Sequence, residues 1–340
     1  MRWTRLLLQS LWNAFQAVLP SPLPKALAPI REPADTVVLV TLDGVRPREL
    51  LTGADPELTA DRRPTAMPFL MQDLLPRGSF IGSDTRRPDF RIGSPVGISM
   101  SGYHSIFAGR LTRCTENEDP PPRGTTLATN IQDAFPEDPA PVAAMTTWDL
   151  VVDCLKLDPA RAVILRGRAE AVSRAPNTAD GATDAPIFHA ALQQLQEDPP
   201  RLLYVGFDET DDAGHRNDYA RYLRVLERYD GYLRAFEAEI AKQTAQGRRI
   251  TLIVATDHGR GFGREWVQHR WNIDGTVRAW LFAMGHGIAA RGHIAPRKPR
   301  SHYNIRPTIA HLLGLPPSRS PWHSGPLEEL VETNPPPRPL

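Results

Sequence analysis

ITLIVATDHGR, residues 250–260, decides the fold. Its first seven residues are apolar or β-branched and show no apolar/polar alternation. That is the pattern of a strand covered on both faces. The run stops on Asp257, His258 and Gly259. In an open parallel sheet the C-terminal ends of the strands line the cleft where ligands bind. A carboxylate and an imidazole at that place are therefore aimed at a site. Five more runs read as buried strands: TVVLVTLD (36–43), PVAAMTTW (141–148), RAVILRG (161–167), RLLYVGFD (201–208) and VRAWLFAMG (277–285). Helical candidates lie between them: AMPFLMQDLL (66–75), HSIFAGRL (104–111), DAPIFHAALQQLQE (184–197) and a long segment over 218–245. The last places Tyr222, Leu223, Val225, Leu226, Tyr229, Leu233 and Phe236 in a helical rhythm. The alternation predicts an α/β fold, a mostly parallel sheet with helices on both faces.

The composition agrees. The chain has 340 residues, of which 41% are hydrophobic and 23% charged, as in a globular protein. A net charge of +1 gives no global attraction to nucleic acid, and no nucleic-acid partner is evident. No apolar run is long enough for a transmembrane segment. Cys114 and Cys154 fit no zinc-ligand spacing. They read as two small side chains, or as one disulfide if the protein is exported. Residues 1–33 read as a leader or an amphipathic helix. A basic start and Ala-Leu-Ala at 27–29 favour the leader, and Gln9, Asn13 and Gln16 favour the helix. Periplasmic, secreted and cytoplasmic locations all stay open. One catalytic domain is expected over 34–330, with an insertion at about 112–200, and a disordered tail over 331–340.

Other strand ends carry polar residues too. Asp43 closes the first run, in TLDG. Taken alone it is an ordinary turn residue. FDETDDAGHRND (207–218) holds Asp208, Glu209, Asp211, Asp212 and Asp218 around His215. One or two acids there would suit a helix N-terminus. Five repel one another unless a cation neutralises them. Carboxylate oxygen with imidazole nitrogen suits zinc or manganese. Asp43, Asp211, His215, Asp257 and His258 are five donors, too many for one tetrahedral ion and suited to two. Two divalent metal ions usually clamp the attacking and leaving oxygens of a displacement at phosphorus. The nucleophile would come from RIGSPVGISMSGYHSIFAGR (91–110), a Gly/Ser-rich loop running into a helix, whose N-terminus favours phosphate. Physics alone leaves Ser94, Ser99, Ser101 and Ser105 open.

The motifs LDG (42–44), the serine loop, DxxGH (Asp211–His215) and TDHG (256–259) come in the order found in the alkaline phosphatase superfamily. The chain resembles that superfamily over about residues 36–318. Its members include nucleotide pyrophosphatases/phosphodiesterases, cofactor-independent phosphoglycerate mutases, phosphopentomutases and sulfatases. The resemblance implies an alkaline-phosphatase-like fold and Ser99 as the catalytic nucleophile, three residues before Gly102, with Ser101 as the alternative. It implies that Asp43, Ser99, Asp257 and His258 bind one metal. Asp211 and His215 would bind the other with a third ligand, His269 or His323, of which the W..H spacing after DHGRG favours His269. Phosphodiesterases commonly carry Asn where Gly102 stands, which counts against a nucleotide substrate. The sulfatase signature C-x-P-S-R is missing. The implied activity is hydrolysis of a small-molecule phosphate ester, monoester or diester, through a phosphoseryl intermediate. Arg46, Arg110 and Arg260 are candidates for contacting the phosphate. The alternatives are a phosphomutase, a sulfatase-like hydrolase, or an inactive metal-binding homologue with a structural role.

Overall fold

A computed structural model of the chain describes residues 27–167, 183–318 and 323–332. Its strands are β1 (Thr36–Leu42), β2 (Gly78–Gly82), β3 (Phe90–Arg91), β4 (Val142–Thr146), β5 (Ala162–Arg166), β6 (Leu202–Phe207), β7 (Ile250–Thr256), β8 (Trp280–Gly285), β9 (Gly292–Ile294) and β10 (Arg300–Ser301). Eight of them form one sheet in the order β5-β4-β6-β1-β7-β8-β2-β9, and β10 pairs with β3 apart from it. β1 lies between β6 and β7 and is parallel to both, with Leu42 opposite Phe207 on one side and Thr256 on the other. Three neighbouring strands therefore end at one level, and the residues that follow them, Asp43, Asp208 and Asp257, start from one edge.

The sheet is mostly parallel, as the sequence predicts. β8 is the exception, running antiparallel to both β7 and β2. An unbroken apolar run shows that both faces are covered but not which way the strand points. β4 and β5, inside 112–200, extend the main sheet from β6. Residues 1–26 of the expected leader lie outside the described residues, as do 333–340 of the expected tail. Val331 bridges to Ile288.

Each face of the sheet packs against helices. On one, Val38, Val40, Leu42, Leu252 and Val254 share a core with Tyr222, Leu226, Tyr229, Leu233 and Phe236 of the Tyr219–Ala245 helix. On the other, Val37, Leu39, Ile253 and Ala255 share a core with Tyr103, Ile106 and Phe107 of the Ser99–Ala108 helix. Val37 to Val40 thus alternate between the two faces, as strand side chains must. Burying each Val, Leu, Ile or Phe among them stabilises the fold by about 1.5–3 kcal/mol.

Two helix boundaries depart from the sequence reading. The helix expected over 104–111 starts at Ser99 and ends at Ala108, before Gly109 at φ +65°. All ten of its residues are buried, so no polar face marked its start. The stretch expected as a helix over 66–75 is a π-helical turn, Phe69–Leu74, followed by a short 3-10 turn, Leu75–Arg77. Pro68 and Pro76 contribute no N–H here. The buried Asp230 carboxylate accepts from the Phe69 and Leu70 amides, at 2.7 and 2.9 Å.

Candidate metal centre

Asp43, Asp257 and His258 offer ligand atoms that all lie within 4.8 Å of one another, and so do Asp211, His215 and His269. These two groups meet at the C-terminal edge of β6, β1 and β7. His258 joins them: its Nε2 lies 3.2 Å from Asp43 Oδ1, 3.6 Å from Asp257 Oδ2 and 3.8 Å from Asp211 Oδ1. His323 belongs to neither group and bonds to the Ser318 hydroxyl.

The backbone fixes this geometry. Asp257 Oδ1 accepts from the amides of Gly44, at 2.9 Å, and His258, at 2.8 Å. That bond ties the turn after β1 to the end of β7. Gly44 sits at φ +64°, and a Cβ there would lie 2.7 Å from Asp211 Oδ1. A side chain would be strained in this conformation and would collide with the second acid group. The remaining Asp257 oxygen, Oδ2, is buried and has no hydrogen-bond partner among the described residues.

Ser99 is the first residue of its helix and lies against the first group. Its Oγ is 3.0 Å from His258 Nε2 and 3.4 Å from Asp43 Oδ1. Ser101 is turned elsewhere: its hydroxyl donates to the carbonyls of Val96 and, at 2.9 Å, Ile98. Gly102 faces Asp257 so closely that a Cβ would lie 2.2 Å from its carbonyl oxygen. The Gly at the position where phosphodiesterases carry Asn thus lets the helix approach the end of β7. Asn117 reaches the helix start from a loop, its Oδ1 accepting from the Met100 amide at 3.3 Å.

Two imidazoles have their tautomer set by carbonyls. His258 Nδ1 lies 2.8 Å from Gly259 O, and His269 Nδ1 lies 3.0 Å from Gly97 O. Each Nδ1 must carry the proton, because a carbonyl only accepts. Both Nε2 atoms are therefore bare lone pairs turned toward the carboxylates, the state a metal requires. Burial pulls both rings down to about 4, which keeps them neutral. His269 Nε2 also stands 2.9 Å from His215 Nε2, and His215 Nε2 stands 3.0 Å from Asp211 Oδ2.

The carboxylates carry the complementary need. Burial, and then the charge of Asp211, push Asp43 up to about 8. Burial and the charge of Asp43 hold Asp257 well above the usual carboxylate range. Burial would raise Asp211 as well, but the Arg260 guanidinium and His269 outweigh it and hold Asp211 well below that range. Two converging acids that resist ionisation, a third held charged, neutral imidazole lone pairs and a carboxylate oxygen without a hydrogen-bond partner among the described residues fit divalent cations.

Arg260 is a partner the sequence reading placed differently, as a phosphate contact. It is fully buried and bonds to Asp211, to Trp266 O at 2.7 Å and to Val267 O at 2.9 Å. It secures the turn that leads to His269. Arg46 is also withdrawn from the cleft, held by Glu49, Asp55 and Gly261 O. Arg110 lies beyond the opposite end of the Ser99–Ala108 helix, bonded to Arg123 O. Two supports of Asp43 went unread: the Tyr103 hydroxyl donates to its Oδ2 at 3.2 Å, and the Thr210 hydroxyl to its carbonyl at 2.6 Å. Neither hydroxyl sits in a pattern that sequence spacing would single out.

Known proteins resemble the chain in fold. Residues 173–271 match the family model described as the Metalloenzyme superfamily. A 2-O GAG sulfatase superposes with a TM-score of 0.63 at 12% identity, covering 86% of this chain and 73% of its own. The phosphonate monoester hydrolase of Silicibacter pomeroyi gives 0.55 at 14% identity, covering 86% and 75%. That of Agrobacterium radiobacter gives 0.56 at 13%, covering 87% and 76%. No curated protein sequence matches the chain.

Proposed function

We propose that this chain, which has the fold of the alkaline phosphatase superfamily, is a two-metal hydrolase of phosphate esters that uses Ser99 as its nucleophile. The observation that carries the reading is the position of Ser99 Oγ, 3.0 Å from His258 Nε2 at the edge of two carboxylate–imidazole groups. Asp43, Asp257, His258 and the Ser99 hydroxyl would hold one divalent ion, and Asp211, His215 and His269 the other. Such ions supply positive charge that neutralises the carboxylates, acidifies a hydroxyl beside them and stabilises charge developing on phosphoryl oxygens.

The residues divide the remaining work. Ser99 gives its proton to solvent as its Oγ bonds to phosphorus, and the bond from phosphorus to the leaving oxygen breaks. The leaving oxygen takes a proton from solvent. Water then cleaves the phosphoseryl bond and returns Ser99, with inorganic phosphate from a monoester or a phosphate monoester from a diester. The positive end of the Ser99–Ala108 helix dipole would favour a phosphoryl group bound beside Ser99. Arg260 and the carbonyls of Gly97 and Gly259 keep Asp211, His269 and His258 in place, so little reorganisation accompanies the reaction.

Sulfate esters are the second reading. A sulfatase among the structural neighbours favours it, and the missing C-x-P-S-R signature weighs against it. Turnover of paired aryl phosphate monoesters and diesters and an aryl sulfate, with zinc or manganese added, separates the readings. Phosphate turnover that vanishes with a chelator supports the proposal. Turnover of the sulfate alone, or of none of the three, rejects it.

A further inference from the structure

A second charged site lies away from the metal centre. Arg306 is only 5% exposed. Its Nη1 donates to Ala108 O at 2.9 Å and Thr125 O at 2.8 Å, and its Nη2 to Thr125 Oγ1 at 3.0 Å. Arg110 Nη2 donates to Arg123 O at 2.6 Å, and Lys156 Nζ to Gly124 O at 2.9 Å. Three cations from distant parts of the chain thus converge on three successive carbonyls, those of residues 123, 124 and 125. Gly124, at φ +75°, forms the bend that lets its neighbours face them. The Ser324 amide donates to Gly109 O at 3.3 Å and brings His323 to the same corner.

No carboxylate of the described residues lies within ion-pair reach of Arg110, Arg123, Lys156 or Arg306. Arg63, Arg228, Arg249, Arg278 and Arg300, by contrast, each have one. With a net charge of only +1, this gathering is local. The carbonyl dipoles at the helix C-terminus offset part of the charge. A guanidinium this buried still costs free energy unless an anion pairs with it. Burial, followed by the charge of Arg110, accordingly pulls Arg306 down to about 10. Lys156 has used one of its three donors, and Arg110 keeps donors unspent.

We infer that Arg110, Lys156 and Arg306 form a binding site for a doubly charged oxyanion, a phosphate or sulfate group. Arg110 and Lys156 supply the direct hydrogen bonds, and Arg306 supplies fixed charge from beneath. The site stands beyond the C-terminal end of the helix that Ser99 begins, roughly 14 Å along its axis at about 1.5 Å per residue. Its occupancy does not depend on the metal centre or on the proposed reaction.

Calorimetric titration of the full chain with inorganic phosphate, and separately with sulfate, tests it. The test compares wild type with the Arg110→Ala/Lys156→Ala double variant and with Asp257→Asn. Both patch side chains reach the surface, so the double variant is expected to fold; Lys156→Ala alone serves if circular dichroism shows otherwise. The double variant should bind about ten-fold more weakly or worse, the single variant should be weakened in the same direction, and Asp257→Asn should retain the site. Absence of binding to wild type, equal affinity in the patch variants, or loss in Asp257→Asn alone would overturn the site. Co-sedimentation with phosphatidylglycerol vesicles without any binding of free phosphate or sulfate would overturn it as well.

Discussion

His258 and His269 stack face to face, their ring centroids 4.0 Å apart and their planes 15° from parallel. Each points Nδ1 at a backbone carbonyl and Nε2 at the carboxylate edge. One ring follows β7 directly and the other comes from a turn eleven residues later. The stack therefore couples the two ligand groups. In the proposed enzyme the stack holds the two groups side by side, while each group keeps its own ligands.

Ser99→Ala should reduce turnover by roughly 10⁴-fold or more, as expected for loss of a nucleophile. Metal content should stay close to wild type, because carboxylates and imidazoles supply the other ligands. Parallel elemental analysis and turnover assays separate the two effects. Wild-type turnover in this variant removes Ser99 from its role. Ser101→Ala should keep its activity and lose about 1 kcal/mol of stability, since its hydroxyl serves the carbonyls of Val96 and Ile98.

Asp257→Asn should lower metal occupancy. The amide can still accept from Gly44 and His258, but it replaces the charge at the orphaned Oδ2 with a neutral group. Elemental analysis after dialysis reads the outcome, and unchanged metal would place the ions elsewhere.

Arg260→Met should destabilise the metal-free protein by about 3–5 kcal/mol, because Asp211 would stay buried without its cationic partner. Added zinc should then raise the melting temperature more in the variant than in wild type, since ligand bound only by the folded state stabilises it. Equal zinc-induced shifts would mean that Arg260 does not share Asp211 with a metal.

His104 sets an acid limit on the fold. It is 2% exposed, its Nε2 has no hydrogen-bond partner among the described residues, and burial pulls it down to about 4 against the opposing charge of Asp119. Unfolded, the ring takes a proton near pH 6.5. Between about 6.5 and 4 the unfolded chain binds a proton that the folded chain refuses, so stability falls as pH falls across that window. His104→Gln should flatten the decline, read as melting temperature at pH 7 and pH 5 with a chelator present. An identical slope in both proteins would assign the acid sensitivity to other groups.

Much of the sheet was legible because fully covered strands leave long apolar runs. The strand ends were legible because acids and histidines stand out after such runs. β2, GSFIG over residues 78–82, was missed: it is short and opens and closes on glycine. The start of the Ser99 helix was missed because every one of its residues is buried, which erases helical periodicity. The engagement of Arg260 depends on carbonyls at Trp266 and Val267, and backbone partners leave no trace in side-chain spacing.

The central claim is that two separate ligand groups hold two divalent ions beside Ser99. Metal stoichiometry of wild type and His269→Ala, after chelation and reloading with zinc or manganese, tests it most directly. The account predicts about two equivalents in wild type and about one in His269→Ala, because the Asp43–Asp257–His258 group stays whole. A wild-type chain that takes up no metal, or a His269→Ala chain that takes up as much as wild type, would contradict it.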